Sequence, residues 1–184
     1  MTRVLLEASS LIVLIALAMG CSCIPASSTQ PPPFHPQASI REIMDAEIDP
    51  AADALWASVQ TRITAAGEDD RQPRTEEEWK AVRRSALTLV EATNLLLMKG
   101  RRIVAVNAVV PAGEADPAVL QRRLDANRAP FTGFALGLQQ VSLKALEAVD
   151  ARSADRLLEV GGEIDEACEA CHLVYWYPPD LTRN

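Results

Sequence analysis

The chain has 184 residues, a net charge of −7 and 4 cysteines. An acidic net charge argues against nucleic-acid binding, which needs basic surfaces to neutralise phosphates, and it favours basic protein partners. The stretch from Ser39 to Tyr177 is long enough for one domain with a hydrophobic core, but not for two.

Residues 1–20 are predicted to be an export signal. Arg3 precedes an apolar run over 11–19 that is too short to span a bilayer. Gly20-Cys21 resembles a bacterial lipoprotein cleavage site, at which the cysteine would be lipidated and become the new N-terminus; ordinary cleavage nearby is the alternative. Either route predicts a periplasmic protein, with a lipid anchor as its only attachment to the membrane.

Residues 21–38 are rich in proline and small polar residues, which predicts an extended and exposed tether. His35 lies in this tether, and a metal ligand on a flexible segment would lose much conformational entropy on binding. We therefore do not expect His35 to be a ligand. If Cys21 is lipidated, Cys23 is left as an unpaired thiol for which the sequence suggests no role.

Apolar residues at three- and four-residue spacing predict a first helix from Ile40 to Ile63. Asp49-Pro50 interrupts this stretch, and two interpretations keep the apolar face inward. Either Pro50 kinks one continuous helix, or Asp49 caps a second helix whose first residue is Pro50. The predicted core stripe is Ile40, Ile43, Met44, Ile48, Ala51, Leu55, Val59 and Ile63.

A second helix is predicted to begin at Thr75, because a threonine followed three residues later by Glu78 forms a reciprocal capping box. Gly100 is the predicted stop. Residues 103–110 are rich in β-branched side chains, but no partner strand is predicted, so further helix or a packed connection is expected. The predicted buried face of the second helix is Trp79, Val82, Ala86, Val90, Thr93, Leu97 and Met98.

Two more helical regions are predicted in the C-terminal half. Asp116-Pro117 opens the third, which continues in helical phase to Val149 with a kink at Pro130. Ser153 caps the fourth, which ends before a tail at 178–184. Its Gly161-Gly162 pair indicates either a backbone packed closely against a large group or another helix, or a local break. The apolar positions of the third region are Leu120, Leu124, Phe131, Phe134, Leu138, Val141, Ala145 and Val149.

The last predicted helix carries the pentapeptide Cys168-Glu-Ala-Cys171-His172, which is the C-x-x-C-H attachment site of a c-type haem. In such a site the two thiols add across the vinyl groups of haem to form thioethers, and the adjacent imidazole binds the iron. The motif therefore predicts one covalent haem c, held by Cys168 and Cys171, with His172 as the proximal iron ligand.

Two other interpretations of the motif are weaker. A structural zinc site needs four ligands, and the remaining candidates, Cys21, Cys23 and His35, all lie in or just after the N-terminal apolar segment. A redox-active C-x-x-C pair is expected in a βαβ context, which the pattern does not contain.

Four amphipathic helices joined by modest loops predict an all-α domain over residues 39–177, an antiparallel four-helix bundle with the haem on its C-terminal helix. With C-x-x-C-H near its end, this order of helices resembles class II cytochromes c, namely cytochrome c prime and its low-spin, methionine-ligated relatives. Cytochrome c prime relatives often carry a basic residue four positions after the axial histidine. This chain has Trp176 there, which weakens the analogy with gas sensing.

The resemblance implies a distal iron ligand at Met44, because the low-spin relatives carry their ligating methionine on the first helix. The alternative is that Met44 fills the core beside the haem, as Met98 is expected to do on the second helix. Arg41 lies one helical turn before Met44 and shares its face, so it is predicted to meet a haem propionate; the alternative is a solvated arginine.

We expect an exported monohaem cytochrome c that exchanges single electrons with redox partner proteins bearing a basic docking surface. It is not expected to be an enzyme, because the sequence contains no catalytic triad or nucleophile elbow. One alternative is a five-coordinate haem module that binds nitric oxide or carbon monoxide. Another is a helical lipoprotein without haem, whose C-x-x-C closes a redox disulfide. Class II relatives often dimerise through their first two helices. For this chain the sequence does not decide between a monomer and a homodimer.

Overall fold

The computed structural model describes residues 34–65, 67–111 and 113–179, the side chains of residues 62, 64 and 68 excepted. The chain divides into Met1–Phe34 and a compact unit, His35–Asn184. The predicted export signal and most of the predicted tether, with Cys21 and Cys23, lie outside the described residues. Among the described helices, none has the length and apolarity needed to cross a membrane.

The described part of the chain is mainly helical, which confirms the predicted all-α character, and it adds one small hairpin. Long helices carry the core, and short elements connect them. In chain order the elements are α1 (Ile40–Ile43), a π-helical turn π1 (Met44–Ile48), α2 (Asp49–Ser58), β1 (Gln60–Thr64), β2 (Gly67–Arg71), α3 (Glu76–Leu97), α4 (Pro117–Ala126), α5 (Ala129–Asp150) and α6 (Ala154–Tyr175).

The backbone stays helical through Asp49-Pro50, but its turn widens there. Asp49 has helical dihedral angles (φ −61°, ψ −49°), and its N–H donates to the carbonyl of Met44, five residues back. A proline inside a helix lacks the N–H of the normal bond, and its ring crowds the preceding turn. The π-helical turn accommodates Pro50, so Asp49 does not cap a separate helix. Neither predicted interpretation anticipated this geometry.

The prediction that the first helix continues to Ile63 is wrong. The helix ends at Ser58, Val59 adopts an extended conformation (φ −133°, ψ 107°), and β1 pairs antiparallel with β2. Ile63 is 92% exposed. After Val59 the chain has almost no apolar residue to bury, so a further helical turn would gain little from packing.

Local interactions favour the hairpin in this polar stretch. The Thr61 hydroxyl donates to Asp70 Oδ1 across the two strands at 2.8 Å. Gly67 begins β2 with a φ of +122°, a conformation that glycine adopts without the steric cost other residues have.

The predicted start of α3 is confirmed. Thr75 Oγ1 accepts from the Glu78 N–H at 3.2 Å, and Glu78 Oε2 accepts from the Thr75 N–H at 2.8 Å. The backbone N–H groups of Arg74 and Thr75 donate to the Glu78 carboxylate and lower its pKa. Ser39 and Glu42 form a second capping box at the start of α1, which was not predicted. Both boxes satisfy N–H groups that a helix terminus leaves unpaired.

The predicted buried face of α3 is largely confirmed but incomplete. Leu97 and Met98 are only partly buried, whereas Leu89 and Leu96 are fully buried members that were missed. The helix ends at Leu97, and Gly100 follows with a φ of +85°.

Residues 103–110 form a connection and not a further helix. Ile103 and Val104 are buried, while Val109 is 87% exposed. The carbonyl of Arg102 accepts from the Ile40 N–H at 2.8 Å, and that of Ile103 accepts from the Arg41 N–H at 2.9 Å. This connection therefore pairs the first N–H groups of α1 and fixes the start of that helix.

The third predicted region is two helices, not one kinked helix. Asp116 caps α4 with its side chain, as predicted, and accepts from the Ala118 N–H at 2.8 Å. Asn127 and Arg128 separate α4 from α5, and Pro130 occupies the first turn of α5, where its missing N–H costs no hydrogen bond. Ser153 caps α6, as predicted.

The long helices pack around one core. α3 contacts α5, α5 contacts α6, and α2 contacts both α3 and α6. The contact between α2 and α6 includes Trp56, whose Nε1–H donates to the carbonyl of Gly161 at 2.9 Å. Gly161 thus marks close packing of the α6 backbone against another helix, with no break in α6.

The two glycines of α6 provide a matched test of this contact. Alanine is favoured over glycine by about 1 kcal/mol inside a helix. At the exposed Gly162, an added Cβ meets nothing within 4 Å. We expect Gly162→Ala to raise the free energy of unfolding by about 0.5–1 kcal/mol.

At Gly161 an added Cβ would lie 3.2 Å from Trp56 Cδ1, and Trp56 cannot retreat without lengthening its hydrogen bond to Gly161. We expect crowding to offset the gain in helix propensity, so that Gly161→Ala is about 1 kcal/mol less stable than Gly162→Ala. Urea unfolding followed by circular dichroism measures both variants. Equal stabilisation by the two substitutions would contradict a tight contact between Trp56 and α6.

Candidate functional site

The C-x-x-C-H motif lies in the last turns of α6. Cys168, Cys171 and His172 are spaced three and four residues apart, so they share one face of the helix. All three side chains are partly buried. Pro178 is buried just after the helix has ended.

This face of α6 lines an apolar cavity, here called the motif cavity. Side chains from π1, α2, α3 and α5 complete its wall, and the only carboxylate among them is that of Asp49, the first residue of α2. The lining consists of Met44, Asp49, Leu96, Phe131, Phe134, Ala135, Leu138, Ala167, Cys168, Cys171 and His172. α6 therefore presents both thiols and the imidazole to one largely apolar space.

A second cavity, here called the aromatic cavity, shares four residues with the first. Met44, Phe131, Cys171 and His172 line both. The other residues around the aromatic cavity are Ile40, Ile103, Tyr175 and Trp176. A larger groove of about 320 Å³ lies elsewhere, between α2 and the start of α3, and contains none of the predicted site residues.

Aromatic side chains surround the motif. The buried Tyr175 ring stacks edge-on against Phe131, at 5.3 Å between centroids, and against Phe134, at 6.3 Å. The rings of Trp176 and Tyr177 lie 6.2 and 5.8 Å from the His172 ring. The aromatic residues at the end of α6 thus pack on both the cavity wall and the imidazole and cover part of the site.

Burial keeps the two thiols protonated. It raises the pKa of Cys168 to about 11, with a further contribution from Asp49, and it raises the pKa of Cys171 to about 12. Reactive C-x-x-C pairs have lowered thiol pKa values and often lie at helix N-termini. Here the pair lies near the C-terminal end of α6, where the helix dipole disfavours a thiolate. These conditions argue against a redox disulfide.

Burial also lowers the pKa of His172, although the carboxylates of Asp49 and Glu169 oppose this effect. A neutral imidazole has a free ring-nitrogen lone pair and can bind a metal. Among the described residues, no group of three or more His, Cys, Asp or Glu side chains is arranged to hold a metal ion. The part of the chain that the structure describes therefore offers no closed zinc site.

Met44 and His172 line both cavities from different helices. The two predicted iron ligands therefore face the same space. Met98, which was expected to fill the core, lies at the C-terminal cap of α3, where its sulfur accepts from Arg101 Nη2 at 3.4 Å. Met98 lines neither cavity. His35 is exposed and also lies outside both linings.

Arg41 lies beside the aromatic cavity but is already partnered. Its guanidinium forms an ion pair with Glu114, donates to the carbonyl of Val109 at 3.4 Å and stacks over the Trp176 ring at 4.5 Å. Its side chain is only 13% exposed, so the alternative of a solvated arginine does not apply. The predicted contact with a propionate stays a prediction, and Glu114 would compete with it.

Sequence reasoning missed Asp49 as a residue of the site, because the α-helical pattern places it elsewhere. Residues five apart on an α-helix point about 140° away from each other. A π-helical turn closes with a bond between residues five apart and brings such residues nearly into line. The N–H of Asp49 bonds to Met44 in this way, and both side chains line the motif cavity. Pro50 was the available signal for this geometry.

Comparison with protein-family models, with curated proteins and with solved structures finds no match for this chain. The resemblance to class II cytochromes c therefore depends on the C-x-x-C-H motif and the order of the helices.

The raised thiol pKa values predict slow alkylation of the protein made without haem. In the folded state at pH 8 we expect iodoacetamide to modify Cys168 about a hundredfold and Cys171 about a thousandfold more slowly than in 8 M urea, because the thiolate fraction falls about tenfold per unit of pKa. A chain that starts at Ile24 lacks Cys21 and Cys23, so that only the two motif cysteines can be alkylated. Mass spectrometry measures the rates. Equal rates in folded and unfolded protein would contradict burial of the thiols.

Proposed function

We propose that this protein is a monohaem c-type cytochrome that transfers single electrons. The observation that carries the proposal is the convergence of Cys168, Cys171 and His172 on one apolar cavity that Met44 also lines. A porphyrin is flat and largely apolar, and the lining by Phe131 and the other apolar side chains suits it chemically. The motif cavity itself measures only about 20 Å³, so the helices around it would have to move apart to admit a haem. Two neutral thiols and a neutral imidazole are the donor set that a c-type haem requires.

The proposed architecture is a four-helix bundle with the haem on its C-terminal helix. α1, π1 and α2 form the first helix of this bundle, and α3, α5 and α6 form the others. The pairwise contacts among these helices support the arrangement. Bundles of this kind build cofactor sites in their cores from side chains on facing helices.

Each residue of the motif has a distinct role in the proposal. The thiols of Cys168 and Cys171 would hold the haem by adding across its two vinyl groups: each sulfur would bond to one vinyl carbon, and the thiol hydrogen would move to the other. His172 donates a ring-nitrogen lone pair to the iron. When bound, haem supplies an iron that cycles between the ferric and ferrous states. The aromatic residues around His172 would cover part of this centre.

Met44 is the proposed distal ligand, and its position favours electron transfer over gas binding. A thioether that faces His172 across a shared cavity can complete six-coordination, which leaves no open site for nitric oxide or carbon monoxide. The net charge of −7 favours redox partners with basic docking surfaces. Export to the periplasm, with a lipid anchor at Cys21, remains part of the proposal.

Covalent attachment tests the first part of the proposal. We expect the full chain, produced together with cytochrome c maturation machinery, to carry one haem that survives denaturation and acidic extraction. The double variant Cys168→Ser/Cys171→Ser should lose it, because neither side chain can then form a thioether. Intact-protein mass spectrometry and haem staining after denaturing electrophoresis are the measurements. A wild-type chain without covalent haem would overturn the proposed function.

Substitution of the two methionines distinguishes a six-coordinate electron carrier from a five-coordinate gas-binding module. We expect the reduced wild-type holoprotein to give a sharp low-spin absorption spectrum that carbon monoxide does not alter. Met44→Ala should give a high-spin spectrum that shifts with the gas, because it lacks the distal thioether. Met98→Ala removes the same side chain outside both cavities and should behave as wild type.

Opposite behaviour would favour the open-site alternative. A wild-type spectrum that is already high-spin and responds to carbon monoxide indicates a gas-binding module. If Met44→Ala leaves a low-spin spectrum unchanged, Met44 is a core residue and another side chain is the ligand.

A further inference from the structure

The wall of the motif cavity contains one acidic side chain. Asp49 lines the cavity together with Met44, Cys168 and His172, and most of the remaining lining is apolar. Its carboxylate is close enough to interact electrostatically with both His172 and Cys168. The π-helical turn that accommodates Pro50 brings Asp49 to this position.

No cation of the described region neutralises this carboxylate directly. Within the residues that the structure describes, Asp49 has no ion pair with a lysine or arginine. The two residues of its own helix that interact electrostatically with it, Asp45 and Asp53, are also acidic. On α6, Asp165 interacts with Cys168 and Glu169 interacts with His172. These carboxylates therefore make the electrostatic potential on this side of the cavity negative.

We propose that the Asp49 carboxylate lowers the reduction potential of the haem iron bound at His172. This inference rests on the proposed cytochrome function. Ferric iron carries one positive charge more than ferrous iron, so a nearby negative charge stabilises the ferric state more strongly. On the side of Asp49 that faces the cavity, the apolar lining screens this interaction less than water does. In the reduction step, ferric iron gains one electron from a mediator or partner and becomes ferrous; no bond breaks and no proton moves.

Asp49 is distinguished from the other carboxylates by its position in the wall. Asp49 and Asp53 are both exposed residues of the same helix, one turn apart, but only Asp49 lines the cavity, whereas the Asp53 carboxylate lies on the surface away from it. Water and salt screen such a surface charge. The contribution of each carboxylate to the reduction potential should therefore depend on its position relative to the cavity, and not only on the net charge of the protein.

The test compares Asp49→Asn with Asp53→Asn in the holoprotein, by redox titration with mediators. Both variants remove one negative charge from α2. We expect Asp49→Asn to raise the equilibrium constant for reduction by about tenfold, which equals about 59 mV for one electron. Asp53→Asn should change it by less than about twofold, because its charge is screened. Asp49→Glu restores the charge and should stay close to the wild-type potential.

The possible failures are distinguishable. If the wild-type chain carries no covalent haem, the proposed function itself fails. If haem attaches but the potentials of the Asp49→Asn and Asp53→Asn holoproteins move equally, only the inference about Asp49 fails. An altered spin state in Asp49→Asn also overturns the inference, because the residue would then act through the ligand set. Should Asp49→Asn not fold, Asp49→Ser repeats the test with a second neutral side chain.

Discussion

The backbone hydrogen bond between the N–H of Asp49 and the carbonyl of Met44 is the constraint on which the candidate site depends. It closes a turn one residue wider than that of an α-helix, at the point where Pro50 has no N–H to donate. The wider turn brings a thioether and a carboxylate to the same cavity wall. With regular α-helical spacing, Met44 and Asp49 would point in clearly different directions, and only one of them could face α6.

A second contact holds the two sides of the site in register. Trp56 lies on the helix that continues from the π-helical turn, and its indole N–H bonds to the backbone of Gly161 on the helix of the C-x-x-C-H motif. The missing side chain at Gly161 lets the indole come this close. Since α2 and α6 meet here, the separation between Met44 and His172 depends on a glycine that has no chemical role of its own.

Features that depend on neighbouring residues were predictable from sequence. The caps at Thr75, Asp116 and Ser153 use side chains next to the helix start, and the C-x-x-C-H residues share a face because they are one turn apart. Features that depend on tertiary packing were not predictable. The end of the first helix at Ser58 reflects the lack of a surface to bury Ile63, and the approach of Phe131 and Asp49 to the motif follows from how the helices pack. A proline signals an irregular turn but does not specify its type.

The position of the motif on the last helix has a consequence for the order of assembly. A chain is synthesised from its N-terminus, so α6 is the last helix to become available for packing. Docking of α6 against α5 and α2 buries both cysteine thiols and raises their pKa. On the proposed function, thioether formation is therefore easiest while α6 is still undocked. On the same proposal, the macrocycle would be the surface against which α6 packs, so that haem attachment and the completion of the core would be one event.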